Sequence, residues 1–236
     1  MTPARHGSAS IEQPDYWWYR ARADLLHAAL GSYLGTPTRV LDVGSADGPS
    51  VAWMRGVHDR FTIDVDPRGL VAGEGVCGSA LALPFADESF DVVAAFDVLE
   101  HCEPEETAMS ELVRVLRPGG RLLMSVPAYA WAWTDHDIRA GHHRRYTRRR
   151  LVSAVERGDL EVLRATYGFG GVFPFFVAER ALRLLRQRVG AAPQRLTPVS
   201  STLERLLLVL AGAERRVLGH RDLPFGSSVF LAAVKP

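Results

Sequence analysis

The sequence predicts an α/β fold: a mostly parallel sheet with helices on both faces, a final antiparallel strand, and a helical insertion just before it. Three observations predict this. Strand-like and helix-like segments alternate through most of the first 150 residues. The run at 90–96 is apolar on both faces, as a central parallel strand is when helices cover it on each side. A β-branched run at 38–43 breaks abruptly at Gly44, the bend expected where such a strand turns into a helix.

The elements follow in order. Residues 16–30 read as a helix with aromatic side chains crowded at its start. After the strand at 38–43 a helix is predicted over 49–56, with Pro49 tolerated in its first turn. Residues 60–64 form the next strand. About a dozen residues then precede Val76-Cys77, which truncates any crossover helix to a turn or two. After 90–96 comes the clearest helix. Pro104 starts it, and Glu103, Glu105 and Glu106 complement its positive end. Met109, Leu112, Val113 and Leu116 recur at i, i+3, i+4, i+7. Arg114 and Arg117 sit at its negative end, and Pro118-Gly119-Gly120 stops it. Residues 121–126 are another strand. Beyond Tyr146 the reading is helix at 151–156 and strands at 160–167 and 227–234. The intervening 168–226 is too long for a bare loop and reads as a helical insertion or cap on a main domain of 1–167 plus 227–236.

Composition narrows the function classes. The chain has 236 residues, 47% hydrophobic and 23% charged, enough to bury a full core; only residues 1–12 read as disordered. Two cysteines, Cys77 and Cys102, make neither a disulfide framework nor a thiolate metal site. The longest mainly apolar stretch, 168–178, is far short of the roughly 20 residues of a spanning helix. With no basic-then-apolar leader, a cytoplasmic location is expected. Charge is uneven: residues 1–133 hold ten basic and eighteen acidic side chains, and 134–236 hold eighteen basic and nine acidic. That split suits an anionic partner for the second part, or a solvated arginine-rich surface, Lys235 being the only lysine.

Asp42-Val-Gly-Ser-Ala-Asp-Gly48 closes the first strand, where glycine lets backbone approach a ligand. Asp64 ends the next strand about 20 residues on, where α/β folds place a carboxylate for ribose hydroxyls. This pair could serve a nicotinamide cofactor, a nucleotide or S-adenosylmethionine. Five segments then occur in register: Val40-Leu-Asp-Val-Gly-Ser-Ala-Asp-Gly48, Ile63-Asp-Val-Asp-Pro67, Leu83-Pro-Phe-Ala-Asp-Glu-Ser-Phe-Asp-Val-Val93, Asp97-Val-Leu-Glu-His101 and Arg114-Val-Leu-Arg-Pro-Gly-Gly120. Together they resemble the class I S-adenosylmethionine-dependent methyltransferases of the ubiquinone and small-molecule type, which implies a Rossmann-like fold.

The resemblance implies roles position by position. Asp42, Gly44, Ser45, Ala46 and Gly48 would hold the methionine and sulfonium portion. Asp64, with Val65 beside it, would bind the ribose. Ser79, Ala80 and Leu81 would lie along adenine, and Phe96 and Asp97 would line the methionine side. Two positions depart from the pattern: Ala46 replaces the middle glycine, and Ser79 replaces an aspartate.

A second block, Trp131-Ala-Trp-Thr-Asp-His-Asp-Ile-Arg-Ala-Gly-His-His-Arg-Arg-Tyr-Thr147, follows Val126-Pro127-Ala128. It resembles a subgroup of the same methyltransferases with an H-D…G-H-x-R-R-Y loop, an aromatic N-terminal helix and a closing segment like Leu223-Pro-Phe-Gly-Ser-Ser228. His136, Asp137, His142 and His143 offer a general base with an orienting carboxylate, or pins for a loop over the cofactor. The spacing H-D-x4-H-H matches no familiar ligand set, so no metal is expected. Arg144 and Arg145, with Tyr146 and Trp17, are the candidate acceptor contacts, and the arginine fork suits an anionic group. Nucleic acid is not expected, because no aromatics interleave with the run from Arg144 to Arg150. Over 176–189, Val177, Ala181, Leu184 and Leu185 share a face opposite Arg180, Arg183, Arg186 and Arg188. That face, beside the apolar Phe173-Pro-Phe-Phe176, packs on its own domain, meets the inner surface of a membrane or shapes a pocket for a lipid tail. The reading is an enzyme that methylates a small or lipid-linked, anionic acceptor, most simply at oxygen. The alternative is a protein that binds S-adenosylmethionine or a nucleotide without turnover.

Overall fold

In the computed structural model, which describes residues 15–44, 53–54, 59–70, 75–188 and 199–236, seven strands form one sheet. They are β1 (Arg39–Val43), β2 (Asp59–Asp64), β3 (Gly75–Cys77), β4 (Phe90–Phe96), β5 (Leu116–Pro127), β6 (Glu161–Gly168) and β7 (Ser228–Val234). Their order is β3-β2-β1-β4-β5-β7-β6. The first five run parallel, and β7 lies antiparallel between β5 and β6. The expected architecture, including the antiparallel last strand, is the observed one.

Strand alternation divides the core in two. Leu41, Val43, Val93, Ala95, Leu122 and Met124 face one side. They pack on Met109 and Leu112 of α2 (Glu105–Arg114) and on Leu151 and Val155 of α4 (Arg148–Glu156). Val40, Val92, Ala94, Leu123 and Phe230 face the other side, against Leu25, Leu26, Ala29 and Leu30 of α1 (Trp17–Leu34). Each of the Val, Leu, Met and Phe side chains among them, fully buried, contributes about 1.5–3 kcal/mol.

The crossover from β6 to β7 carries α5 (Phe173–Arg188) and α6 (Ser201–Leu218), the helices expected in the insertion. Leu207, Ala211 and Leu218 of α6 join the core beside α1, so this helix belongs to the layer over the sheet. On α5, Val177, Leu182, Leu184 and Leu185 are exposed, so packing of that apolar face on its own domain is not what the described residues show. No helix among the described residues is long and apolar enough to cross a membrane.

Two element boundaries differ most from expectation. The helix after Pro104 ends at Arg114, and β5 already begins at Leu116, which pairs with Phe90. Ser89 and Phe90 donate to the Val115 carbonyl, so strand pairing outcompetes the last helical turn. Pro118-Gly119-Gly120 therefore lies within β5, where the register shifts. The first helix runs to Leu34 and ends at Gly35, whose φ of 65° favours glycine. The predicted segments 1–12 and, apart from residues 53–54, 49–56 lie outside the described residues.

The junction of β6 and β7 supplies a stability test. A Cβ on Gly226 would lie 2.1 Å from the Gly168 carbonyl oxygen, a backbone atom that cannot step aside. Gly226→Ala is expected to cost about 1–3 kcal/mol and lower the melting midpoint by roughly 2–12 °C. Gly212 in α6 faces open space, so Gly212→Ala should instead stabilise by about 0.5–1 kcal/mol. Thermal unfolding of both variants separates the cases; equal midpoints would refute the packing at Gly226.

Candidate active site

The strand order sets the site. Because β1 lies between β2 and β4, the residues at their carboxyl ends, Gly44, Asp64 and Asp97, share one rim. Open α/β sheets bind ligands at such a point, where the strand order reverses.

Gly44 turns with φ +71°, and a Cβ there would meet Val98 Cγ2 at 2.5 Å. Its N–H donates to the Ile63 carbonyl at 2.8 Å, which fixes the turn against the end of β2. Asp42, just inside β1, is buried, and its Oδ2 has no hydrogen-bond partner. Burial raises its pKa to about 7, against the pull of Arg60 and Arg22 and with the charge of Asp64 adding to the rise.

Asp64 is set by its own turn. Its Oδ1 accepts the Asp66 N–H at 2.8 Å, while Asp66 accepts the Arg68 N–H and pairs with its guanidinium at 2.5 Å. Val65 beside it is exposed. The Gly78 N–H donates to the Asp64 carbonyl, which draws the next turn alongside. There Ser79 Oγ accepts the Leu81 N–H at 3.1 Å, with Ala80 buried and Leu81 partly buried against the core.

Phe96 is buried at the end of β4, and Asp97 follows with φ 56°. Arg22 of α1 reaches Asp97 at 2.8 Å and donates to Ser125 Oγ at 3.0 Å; that hydroxyl donates on to Asp97. Arg22 is nearly fully buried and lies 5.2 Å from the Trp18 ring centroid, so one arginine ties α1 to the ends of β4 and β5. Trp17 lies half-buried one residue away, its ring 6.0 Å from that of Tyr16.

The second block builds the neighbouring wall. Thr134 caps α3 (Asp135–Ala140) in a capping box with Asp137. Asp137 is fully buried; one oxygen holds His142 Nδ1 at 2.8 Å and Arg145 Nε at 2.7 Å, and the other accepts the Thr134 N–H at 2.9 Å. Burial alone would raise its pKa, but these partners hold it well below the carboxylate range. Burial lowers His136 to about 4, with Arg180 as the next cause, so its imidazole is neutral at pH 7. The His143 backbone N–H donates to the Glu100 carbonyl at 2.7 Å.

The residues expected to grip an anionic acceptor are placed differently. Arg145 is buried on Asp137 and the Ala128 carbonyl. Arg144 pairs with Glu103 and Glu105 and donates to the Cys102 carbonyl at 2.7 Å. Tyr146 is fully buried in the core beside Leu151, because its backbone is stitched to Pro127 and Tyr129. These three pin the loop to the sheet. Ser45, Ala46 and Gly48 lie outside the described residues.

The apolar run at Phe173 and Phe176 joins an aromatic wall whose tyrosines, Tyr129 and Tyr167, the sequence did not single out. Tyr129, at φ 62°, stacks between Tyr167 and Trp131 at 5.4 and 5.6 Å, and Trp131 meets Phe173 and Phe176 of α5. Arg180 of α5 donates to Thr134 Oγ1 at 2.8 Å, which brings this helix to the same loop.

Comparison with known proteins fits this geometry. Residues 41–124 match the methyltransferase domain family. This segment is similar to methyltransferase domains, and the fold of the chain is shared with solved S-adenosylmethionine-dependent methyltransferases. A demethylmenaquinone methyltransferase of Beutenbergia cavernae is 39% identical over 130 residues, covering 49% of this chain and 50% of that protein. An uncharacterized methyltransferase of Mycobacterium sp. strain JLS is 34% identical over 129 residues, 51% of each. The chain thus spans about half the length of the curated relatives it matches. Burkholderia thailandensis 1,6-didemethyltoxoflavin-N1-methyltransferase, solved with bound 1,6-didemethyltoxoflavin and S-adenosylhomocysteine, superposes with a TM-score of 0.57 at 17% identity. That match covers 96% of this chain and 84% of the other, and shows the shared fold.

S-adenosylmethionine is the cofactor that the sequence resemblance implies. The residues present fit it. Asp42 offers a buried carboxylate oxygen without a partner, and Gly44 offers a turn with no Cβ in the way. Asp64 stands one strand over, although Ser79 brings no carboxylate to the adenine side.

Proposed function

We propose that this chain transfers the methyl group of S-adenosylmethionine to an oxygen of a small or lipid-linked acceptor whose apolar body rests on the aromatic wall. One observation carries the reading: the Gly44 turn is hydrogen-bonded to the end of β2, so a carboxylate for the amino end and one for the ribose flank a single cleft. Bound there, the cofactor supplies a methyl group already activated on a sulfonium. Holding acceptor and methyl in line then contributes about 7–11 kcal/mol. His136 and His142, loop imidazoles whose rings lie 6.3 Å apart, are the candidate bases for a hydroxyl acceptor, and a general base typically adds about 10²–10⁴-fold. The exposed apolar side of α5, continuous with Phe173 and Phe176, supports a lipid-linked acceptor and contact with the inner face of a membrane. An anionic acceptor loses its support, because Arg144 and Arg145 are engaged by the chain's own carboxylates.

Calorimetry with S-adenosylmethionine and S-adenosylhomocysteine tests the cofactor half. A labelled-methyl transfer screen over hydroxylated aromatic and detergent-solubilised lipid-linked acceptors tests the other. Binding of neither compound would end the reading; binding without transfer to any acceptor would leave a binding protein.

Asp42 makes the binding pH-dependent. Its carboxylate forms as pH rises through about 7, so attraction for the cationic amino end should strengthen over that range. The sign for folding is opposite: with the folded pKa above the unfolded one, this contribution to stability is intact in acid and is lost as pH rises through about 7. Asp42→Asn should flatten the affinity profile, and an equally steep profile in that variant would assign the titration elsewhere.

A further inference from the structure

Glu100 is a carboxylate of this rim that makes no ion pair with any described residue. It follows Leu99 in the turn after β4, is fully buried, and neither of its carboxylate oxygens bonds another residue. A buried carboxylate without partners is costly and calls for a proton or a cation. The nearby arginines are already matched: Arg22 with Asp97, Arg145 with Asp137, and Arg144 with Glu103 and Glu105.

Beside Glu100 stand two imidazoles. The rings of His101 and His142 are 4.6 Å apart at 82°, and one ligand atom from each of Glu100, His101 and His142 lies within 4.8 Å of the others. Two donors on one ion at about 2.1 Å can be at most roughly 4.2 Å apart, so a small side-chain rotation closes the set. Both histidines also have the outer support that ligating histidines carry. Asp137 holds His142 Nδ1 and leaves Nε2 to face a ligand, while the Gly141 carbonyl faces the His101 ring as an acceptor. His101 is solvent-exposed, which provides an entry path.

We propose that Glu100, His101 and His142 bind one divalent transition-metal ion at the rim of the cleft, with a position left open. Two imidazoles and one carboxylate favour zinc, cobalt, nickel or iron(II) over magnesium or calcium. The linear spacing of His136, Asp137, His142 and His143 hides this set, because two ligands come from the turn after β4 and only one from the loop. Glu100 lies in the turn after Asp97 and the end of β4, so the ion would sit on the rim that the methyl-transfer reading assigns to the cofactor; that clause alone rests on that reading.

The test uses the full chain stripped of metal by chelation, then titrated with cobalt(II) and zinc(II). One equivalent of cobalt should give the visible absorption of a four- or five-coordinate site, zinc should displace it, and equimolar magnesium should not. His101→Ala, at an exposed position, should abolish the absorption while leaving the circular dichroism spectrum unchanged, as should Glu100→Gln in a folded variant. His143→Ala should leave it intact. Absence of the absorption in the parent chain, its survival in His101→Ala, or its loss in His143→Ala would each overturn the site. Because binding is read without S-adenosylmethionine, a negative result leaves methyl transfer untouched.

Discussion

Asp64→Ala should weaken S-adenosylmethionine binding roughly tenfold to a hundredfold, because losing hydrogen bonds to a charged group costs about 1.5–3 kcal/mol. The carboxylate ends β2, and its Oδ1 already receives the Asp66 N–H, so the side chain is oriented before any ligand arrives. Asp66 is in turn clamped by Arg68, which keeps the turn in place when the Asp64 side chain is removed. The variant should therefore remain folded, and the loss should show as a weaker dissociation constant by calorimetry with little change in melting midpoint. Asp64→Asn should fall between the two, since the amide still accepts one hydrogen bond but carries no charge. An unchanged affinity in folded Asp64→Ala would remove the ribose role and, with it, the argument that two strand ends hold the two ends of the cofactor.

How much of this was legible depends on how local each signal is. Phe90–Phe96 could be read outright, because a run apolar on both faces has few other homes. The turn at Gly44 and the carboxylate at Asp64 were legible for the same reason: each follows from residues adjacent in sequence. The end of α2 was not. Leu116 continues the helical spacing of Met109 and Leu112, and only the pairing of Leu116 with Phe90, invisible in a linear pattern, pulls it into a strand. The Arg22–Ser125 contact spans 103 residues, and nothing near Arg22 announces it beyond its place one turn after Trp18. Arg144 and Arg145 read as a surface charge run because their carboxylates, Glu103, Glu105 and Asp137, are remote or were assigned another task. The aromatic wall was legible in part: Phe173 and Phe176 stand out as an apolar run, but Tyr129 looks like an ordinary core residue until β5 and α5 are placed side by side.

Asp137→Ala should be the most damaging single change in the loop. Its removal strands Arg145, whose side chain is 3% exposed, and takes the acceptor from His142 and from the Thr134 N–H together. Breaking a buried ion pair from one side typically costs about 3–5 kcal/mol, which for a chain of this size lowers the melting midpoint by roughly 6–20 °C. The same pairing fixes the pH dependence. With the folded pKa below the unfolded one, the stability contributed by Asp137 is complete above the ordinary carboxylate pKa of about 3.9 and is lost as pH falls through the folded value. Parent and variant should therefore differ most near neutrality and converge in acid, a pattern that loss of packing alone would not produce. Replacing Arg145 with Met as well should recover part of the loss at neutral pH, because the stranded charge leaves with its partner. If the double variant is no more stable than Asp137→Ala, the penalty comes from the broken cap at Thr134, and the ion pair cannot be what holds the loop to the end of β5.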